Sequence, residues 1–363
     1  MPSPVGLTCS AGNFARMASM LERARAIADD VLFPAALDVD VDGVIPSSHF
    51  DLLAEEGFYG LAGRAEHGGV EADFPLFVAV VETFCGACLA TAFTWLQHHS
   101  VVRGLTGTPN VDLREKYLGA AIRGELRGGV AFAGAIPRPP RLWATATDGG
   151  WMVSGESPFV SGWGIIDLLL ISARDTSGGS EGSIVSGLVD ADAGRGITAD
   201  ELQLIAAQGS NTVQLRFEDF FLPAESVVSE VSHADFLANQ HNSARLNGSL
   251  AMGIAARCIR LIAEVGRPDI AQQFDTRQGA IRERLDTGLR DPDTLPAARA
   301  AASELAYRTA GALVVAVGSS GILVRRHAQR LVREAAFTLV AAGRPEVKSN
   351  LLHLFGRSPG PIQ

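Results

Sequence analysis

Apolar side chains in the first third of the chain recur three and four residues apart, the spacing of an amphipathic helix. This pattern predicts helices over residues 14–31, 47–56 and 113–123. Residues 74–93 are almost entirely apolar, which predicts one long buried helix. The serines that open the second helix are predicted to cap it, and Gly57 is predicted to end it. An N-terminal helical domain over residues 1–127 follows from this pattern.

The pattern changes at about residue 128, where short runs of alternating apolar and polar residues stand between glycines. Runs of this length, with loop residues at 149–150 and 177–182 between them, are typical of strands. The predicted strands cover residues 143–147, 151–154, 168–173, 186–189 and 212–217. Strands this short and this closely spaced predict a small β-barrel or sandwich, so the central β domain is placed at 128–232.

Helical spacing returns at about residue 233 and continues to the end of the chain. Four helices are predicted, over residues 244–263, 272–287, 296–316 and 327–340. Because short turns at 291–293 and 318–321 connect long helices, the C-terminal domain (233–363) is predicted to be a helical bundle. The fold class predicted from the whole pattern is a multidomain α+β protein.

Composition and charge narrow the possible functions. The chain has 363 residues, of which 47% are hydrophobic and 20% charged, so it can build large cores and is not disordered. Its formal net charge of −9 argues against sequence-independent binding to nucleic acid. It has no run of 18 uncharged apolar residues and no basic start followed by an apolar segment. These features predict a cytoplasmic protein without a membrane partner.

The cysteines and histidines offer little chemistry. Cys9, Cys85, Cys88 and Cys258 are too few for a disulfide framework. The second and third of these have the spacing of a redox pair, but they lie in an apolar helical run, so buried thiols are the favoured interpretation. His98-His99 are adjacent and point to different helix faces, which argues against a metal site.

Three segments resemble motifs of the acyl-CoA dehydrogenase family. Residues 56–61 (EGFYGL) with 66–69 (EHGG) are similar to its "GL-P-E-x-x-G-G" loop, and 104–125 is similar to the segment that ends in "K-x-k-Y-L" and "G-E". The most specific match runs from GSNT at 209–212 through LRFED at 215–219 to LPAE at 222–225. The order of helical, β and helical domains also resembles this family over nearly the whole chain.

The resemblance implies an FAD flavoprotein that oxidises acyl-CoA thioesters. In this family FAD lies between the β domain and the C-terminal bundle, and subunits form dimers or tetramers. A glutamate removes the α-proton of the thioester while the β-hydride passes to flavin N5. An electron acceptor flavoprotein is then expected to take up the electrons.

Part of the cofactor site is retained in the motif. Residues 156–167 are similar to the family's "G-x-K-x-W-I-T-N-G-x-x-A-D", whose Trp and Thr lie against the flavin ring. Phe159 takes the aromatic position and Ser161 the hydroxyl position, with Val160 between them. The alternative is an ordinary strand end with a core phenylalanine.

Other cofactor positions depart from the family pattern. Ala133 and Gly134 stand where relatives carry "T-E-P-x-x-G-S-D", so the hydroxyl that contacts the pyrophosphate has no counterpart. Gly318 and Ser319 stand in place of "Q-x-x-G-G-x-G-Y". Backbone amides of this turn could bind an anion, and a plain helix–helix turn is equally consistent.

The catalytic base is the larger departure. Residues 328–335 match "p-v-e-R-l-l-R-D-A", and counting on from there places the family glutamate at Ala342. Members with an earlier base would carry it at Ala244, while Glu346 is four residues too late. Arg245 resembles the arginine that opens the third domain's first long helix, either as a substrate contact or as a structural residue.

Three functions remain open from these residues. The chain can be one subunit of a hetero-oligomer, as in some actinobacterial members, with the base on a paralogous partner. It can be a flavin-dependent monooxygenase of the same fold, since residues 158–162 fit that motif too. It can also be a non-catalytic scaffold.

Overall fold

The computed structural model describes residues 11–175, 177, 182–194 and 196–356. Side chains are described from Met17 onwards, except that of His241. Cys9 and most of the predicted loop at 177–182 lie outside the described residues. Within the described part, six helices are followed by eight strands and then by six further helices.

The N-terminal domain is helical, as predicted. Its helices are α1 Ala11–Ile27, α2 Phe33–Asp42, α3 Ser47–Glu55, α4 Phe74–Ala87, α5 Leu89–Gly107 and α6 Val111–Arg123. A π-helical turn, Ala28–Leu32, joins α1 directly to α2, so this helical stretch extends beyond the predicted 14–31.

Two local predictions for this domain are wrong. The single helix over 74–93 is interrupted at Cys88, whose φ of −145° and ψ of 107° are extended, and α5 starts there in a new direction. The serines of α3 do not cap it, since Pro46 holds the cap position and no side chain accepts a hydrogen bond there. Gly57 has the left-handed φ of 78° expected of a residue that ends a helix.

The central strands form one eight-stranded sheet. They are β1 Gly128–Ala131, β2 Leu142–Thr147, β3 Gly150–Val160, β4 Leu168–Asp175, β5 Ser183–Asp190, β6 Ile197–Glu201, β7 Val213–Pro223 and β8 Val227–Ser232. The order is β6-β7-β3-β2-β4-β5-β8, with β1 added parallel to β4. The five predicted strands are confirmed. Among the described residues, β6 and β8 are the two end strands of this order.

The C-terminal domain is a helical bundle, as predicted. Its helices are α7 His233–Ala238, α8 His241–Glu264, α9 Pro268–Thr287, α10 Leu295–Val317, α11 His327–Val340 and α12 Pro345–Gly356. The prediction missed α12, which begins with Pro345 because the first turn of a helix tolerates proline.

One hydrophobic core joins the two helical domains. Buried residues of α1, α4 and α5 pack in one cluster with those of α8, α10 and α11. The sheet has a separate core of its own. The fold class is therefore confirmed: an N-terminal helical domain, a central sheet domain and a C-terminal bundle.

Two helical stretches, His233–Glu264 and Pro292–Val317, are long and apolar enough to cross a membrane. Their apolar windows are 72% and 50% buried inside the protein, which is the situation of core helices in a bundle. Length and composition alone are therefore weak support for a membrane span here.

Candidate functional site

The end of β3 has an irregular backbone where the flavin-wall residues are predicted. Its pairing with β7 shifts register between Ser157 and Val160. Phe159 lies in this irregular segment with a left-handed φ of 56°, and its side chain is 68% exposed. A bulge of this kind redirects side chains, and an aromatic residue adopts positive φ only when its surroundings hold it there. The result is an outward-facing aromatic ring beside a buried Val160.

Ser161, the next residue, points inward and joins a chain of buried hydroxyls. Its Oγ lies 2.7 Å from Thr212 Oγ1, which lies 2.8 Å from Ser210 Oγ. The backbone reinforces this contact, because the Gly162 N–H donates to the Ser210 carbonyl at 2.7 Å. Three hydroxyls have three O–H donors, and two contacts use only two of them. One of the three O–H groups is therefore free to donate to an acceptor outside this cluster, and it is that of Ser161 when Thr212 donates to Ser161 and Ser210 donates to Thr212.

Sequence reasoning missed one polar group next to this turn. Thr94, on α5, is buried, and its Oγ1 has no hydrogen-bond partner among the described residues. A Cβ added at Gly162 would lie 3.3 Å from the Thr94 methyl group, so α5 packs directly on the turn. No signal in the sequence singles out this threonine, because α5 also carries Thr91, Gln97 and other polar residues. Thr212 was visible in the GSNT motif but was not assigned to the site.

Ala133 and Gly134 lie beside the same strand. The Gly134 position is filled by neighbouring backbone, since an added Cβ would come within 2.1 Å of the Glu156 carbonyl oxygen. The Gly134 carbonyl accepts hydrogen bonds from Arg141 and Leu142 N–H groups at 2.8 and 3.0 Å. The structure thus places Gly134 against β3 at Glu156, three residues before Phe159.

Gly318 and Ser319 lie elsewhere, in an exposed turn at the end of α10. Gly318 has a φ of 80°, and its N–H donates to the Val314 carbonyl at 3.0 Å. Apolar side chains around this turn are exposed: Val315, Ile322, Leu323 and Val324. The turn is a surface feature of the single chain.

Ala342 follows α11 and lies near the opposite end of α10. Arg299, in the first half of α10, donates from Nη1 to the Ala342 carbonyl at 2.7 Å and from Nη2 to the Ala341 carbonyl. About 19 residues of helix, roughly 28 Å at 1.5 Å per residue, separate Arg299 from Gly318. The predicted turn and the predicted base position are therefore well apart within one chain.

Neither predicted base position carries a carboxylate. Ala342 is exposed with a φ of 46°, and Ala244 is half-buried in the first turns of α8. Glu346 lies exposed in the first turn of α12.

Arg245 is enclosed in an ion cluster between helices. Its side chain is 1% exposed, and it donates from Nε to Asp286 at 2.8 Å and from Nη1 to Ser249 at 2.9 Å. Its Nη2 lies 3.6 Å from Glu82, which also accepts a hydrogen bond from Arg282. These contacts use the hydrogen-bond donors of the guanidinium, and they favour a structural role for Arg245 over a contact with substrate.

The cysteines and histidines of the core have no reactive setting. Cys85, Cys88 and Cys258 are free and buried, and burial raises the pKa of each thiol. Burial also lowers the pKa of His98 to about 3 and that of His99 well below its ordinary range. Within the described residues, no group of three His, Cys, Asp or Glu side chains is arranged to hold a metal ion.

Comparisons with known proteins agree with the motifs. The family model described as "Acyl-CoA dehydrogenase, N-terminal domain" matches residues 17–125. The mitochondrial 2-methylacyl-CoA dehydrogenase of Solanum tuberosum is 23% identical over 353 residues, which cover 88% of this chain and 85% of that protein.

Solved structures show the same fold. Butyryl-CoA dehydrogenase from Megasphaera elsdenii superposes with a TM-score of 0.81 at 18% identity, over 98% of this chain and 100% of that one. A structure described as PigA with FAD and proline gives a TM-score of 0.80 at 16% identity, over 97% and 99% of the two chains. The family match at residues 17–125, a relative aligned along most of the chain and the shared fold confirm the predicted resemblance to the acyl-CoA dehydrogenase family.

Proposed function

We propose that this chain is an FAD-binding subunit of an acyl-CoA dehydrogenase-like oxidoreductase whose proton-abstracting carboxylate comes from a paralogous partner subunit. The observation that carries the proposal is a contrast between two parts of the site. The hydroxyl chain from Ser161 is intact, whereas Ala342 and Ala244 stand at the two base positions.

The residues at the end of β3 fit a flavin. Ser161 would donate a hydrogen bond to the ring, Thr212 and Ser210 would hold that hydroxyl in place, and Phe159 would cover the ring edge with its exposed aromatic face. Bound FAD would supply the redox chemistry, as an acceptor of hydride from the acyl thioester. The residues of this chain would bind the flavin and orient it.

The missing base predicts poor turnover by the chain alone. A positioned general base typically contributes a factor of about 10²–10⁴ to a rate. An alanine methyl cannot accept the α-proton, so a homo-oligomer would lack this contribution. A hetero-oligomer restores it if the partner brings its own glutamate. An electron acceptor flavoprotein and a cytoplasmic location complete the proposal, since the resemblance implies the first and the composition favours the second.

A second candidate is a flavin-dependent monooxygenase of the same fold. It is favoured by the same absence of a carboxylate, because such chemistry needs no base for an α-proton. The related fold of PigA with FAD and proline indicates that this architecture accommodates ligands other than acyl-CoA. A scaffold without catalysis is the third candidate, and retention of the buried Ser161 hydroxyl argues against it.

Ser161→Ala tests the proposal. We expect the variant to fold, to lose about 1 kcal/mol of unfolding free energy with the hydrogen bond to Thr212, and to retain less FAD than the wild type. Flavin content is read from the visible absorption spectrum after desalting of chain that has been incubated with FAD.

Ser172→Ala is the matched control. Ser172 Oγ makes a buried hydroxyl–hydroxyl contact of 2.8 Å with Ser186 in the same sheet. Its loss should cost similar stability and leave flavin retention unchanged. Equal flavin retention by the Ser161 and Ser172 variants would remove Ser161 from the cofactor site.

A further inference from the structure

Thr94 has a buried hydroxyl that the described part of the chain does not satisfy. The residue lies in α5 with 3% of its surface exposed, and its Oγ1 has no hydrogen-bond partner among the described residues. Other helical threonines donate to the carbonyl four residues before them, at 2.7–3.0 Å: Thr83, Thr106, Thr276 and Thr309. Thr94 makes no such bond to Ala90. Because a buried polar group without a partner is costly, this hydroxyl indicates a partner from outside the chain.

The same hydroxyl lies beside the turn formed by Ser161 and Gly162. A Cβ added at Gly162 would lie 3.3 Å from the Thr94 methyl carbon, so the helix and the turn are in contact. Ser161 belongs to the hydroxyl chain with Thr212 and Ser210, in which one O–H is free to donate. Two groups with unused hydrogen-bonding capacity, one from the N-terminal domain and one from the sheet domain, therefore lie at one junction.

The C-terminal bundle meets α5 at the preceding residue. The ring of Phe93 packs edge-to-face on Phe337 of α11, with centroids 5.2 Å apart. The helix α11 ends at Val340 and leads into the turn that contains Ala342, the predicted base position. This part of α5 thus contacts both other domains, and ligand sites form preferentially at such domain interfaces.

We infer that Thr94 is a ligand-binding residue whose hydroxyl bonds a carbonyl oxygen or a ring nitrogen of the ligand at the Ser161–Gly162 turn. A threonine hydroxyl is uncharged and can both donate and accept, which suits neutral atoms of this kind. Which ligand supplies the atom rests on the proposed function, since the flavin ring and the thioester carbonyl of an acyl-CoA both offer one.

Thr94→Val tests the inference because it replaces the hydroxyl by a methyl group of similar size. In isothermal titrations, FAD added to flavin-free chain, or butyryl-CoA added to FAD-loaded chain, should bind about threefold to tenfold more weakly than to the wild type. Without ligand, the variant should unfold at the same urea concentration as the wild type or at a higher one, since no hydrogen bond of the described residues is lost.

Two further variants serve as controls. Thr106→Val removes a hydroxyl from the same helix that already bonds the Val102 carbonyl, so its affinities for both ligands should equal those of the wild type. Thr94→Ser keeps the hydroxyl and should recover most of the affinity that Thr94→Val loses. The ligand whose binding weakens in Thr94→Val alone is the one that contacts Thr94.

Equal affinities of Thr94→Val and the wild type for both ligands would overturn the inference and assign the hydroxyl to an internal water. A clearly lower urea midpoint of Thr94→Val would overturn it too, because the hydroxyl would then be bonded within the chain. A wild type that binds neither FAD nor butyryl-CoA would refute the proposed function, and the contact of Thr94 with it.

Discussion

At the scale of single residues, Arg299 holds the backbone at Ala342, the predicted base position. The guanidinium of Arg299 holds the carbonyls of Ala341 and Ala342, where the helix α11 ends. Burial and the nearby charge of Arg344 lower the pKa of Arg299 to about 10, so it remains a cation at neutral pH. The main chain at this turn is thus fixed by a positive charge, whatever side chain occupies position 342.

Arg299→Met should destabilise the protein. The variant removes the charged donor of two carbonyls, and hydrogen bonds to charged groups are worth about 1.5–3 kcal/mol. Because Ala342 is exposed, water can replace part of this hydrogen bonding, and a buried charge is removed as well, so we expect a net loss of about 1–2 kcal/mol in urea unfolding. Arg308→Met, on the same helix but with a half-exposed ion pair to Glu304, should change stability by less than about 1 kcal/mol. A variant of Arg299 as stable as the wild type would contradict this account.

A motif can point to a candidate site residue only where the side chain still carries the chemical group that the motif requires. Phe159 and Ser161 could be predicted as flavin contacts because an aromatic and a hydroxyl remain at matching spacing. Thr94 could not be found in this way, since its place beside Gly162 depends on how α5 packs on the sheet domain.

At the scale of elements, the contact between α4 and α8 ties the two helical domains together. Gly86 and Gly253 let the two backbones approach closely. A Cβ added at Gly253 would lie 2.2 Å from the Glu82 carbonyl oxygen, and one at Gly86 would lie 2.6 Å from the Gly253 carbonyl oxygen. Arg257 reinforces the crossing with a hydrogen bond to the Gly86 carbonyl at 3.0 Å.

Gly253→Ala should therefore be destabilising despite alanine's higher helix propensity. The methyl group forces the helices apart, and overpacking of this kind typically costs about 1–3 kcal/mol. Gly279→Ala, in the middle of α9 with open space around it, is the matched control and should gain about 0.4–1 kcal/mol. Urea unfolding of both variants compares the two effects. A neutral or stabilising Gly253→Ala would show that the crossing is looser than described.

Periodicity predicted most elements and failed where local geometry departs from it. The four bundle helices were found because their apolar positions recur regularly. The break at Cys88 was missed because apolar residues continue on both sides of it. Strand β1 was missed because Gly128 and Gly129 lack the alternation that marks a strand, although all four residues of β1 are buried.

At the scale of the whole molecule, neutral histidines in the core link stability to pH. His98 lies on α5 at the junction with the sheet, where its Nδ1 accepts a hydrogen bond from the Gly128 N–H at 2.9 Å. Burial lowers its pKa from 6.5 to about 3. The unfolded chain therefore takes up a proton on this histidine below about pH 6.5, and the folded chain does not until about pH 3. This residue's contribution is present above that window and is lost as the pH falls through it.

His98→Gln should reduce the acid sensitivity of the fold. Each such histidine contributes a slope of about 1.4 kcal/mol per pH unit between its two pKa values. Urea unfolding at several pH values from 6.5 downwards should show a shallower decline for the variant than for the wild type, even if the variant is less stable at pH 7. The exposed His353→Gln should follow the wild type. Parallel declines of wild type and His98→Gln would contradict the prediction.

The sequence predicts the architecture of the whole molecule more fully than it predicts which residues carry out the function. Domain order and class come from periodicity over many residues, which local errors do not change. The function depends on a few positions, and the position at which the resemblance predicts the base is Ala342.

The most direct test of the central claim is anaerobic addition of an acyl-CoA to FAD-loaded chain, followed through the visible absorption of the flavin. The account predicts a bound oxidised flavin that the chain alone does not bleach at a catalytic rate, and rapid bleaching once a paralogous subunit with a glutamate is added. Rapid bleaching by this chain alone, or a folded chain that retains no flavin with or without the partner, would contradict it.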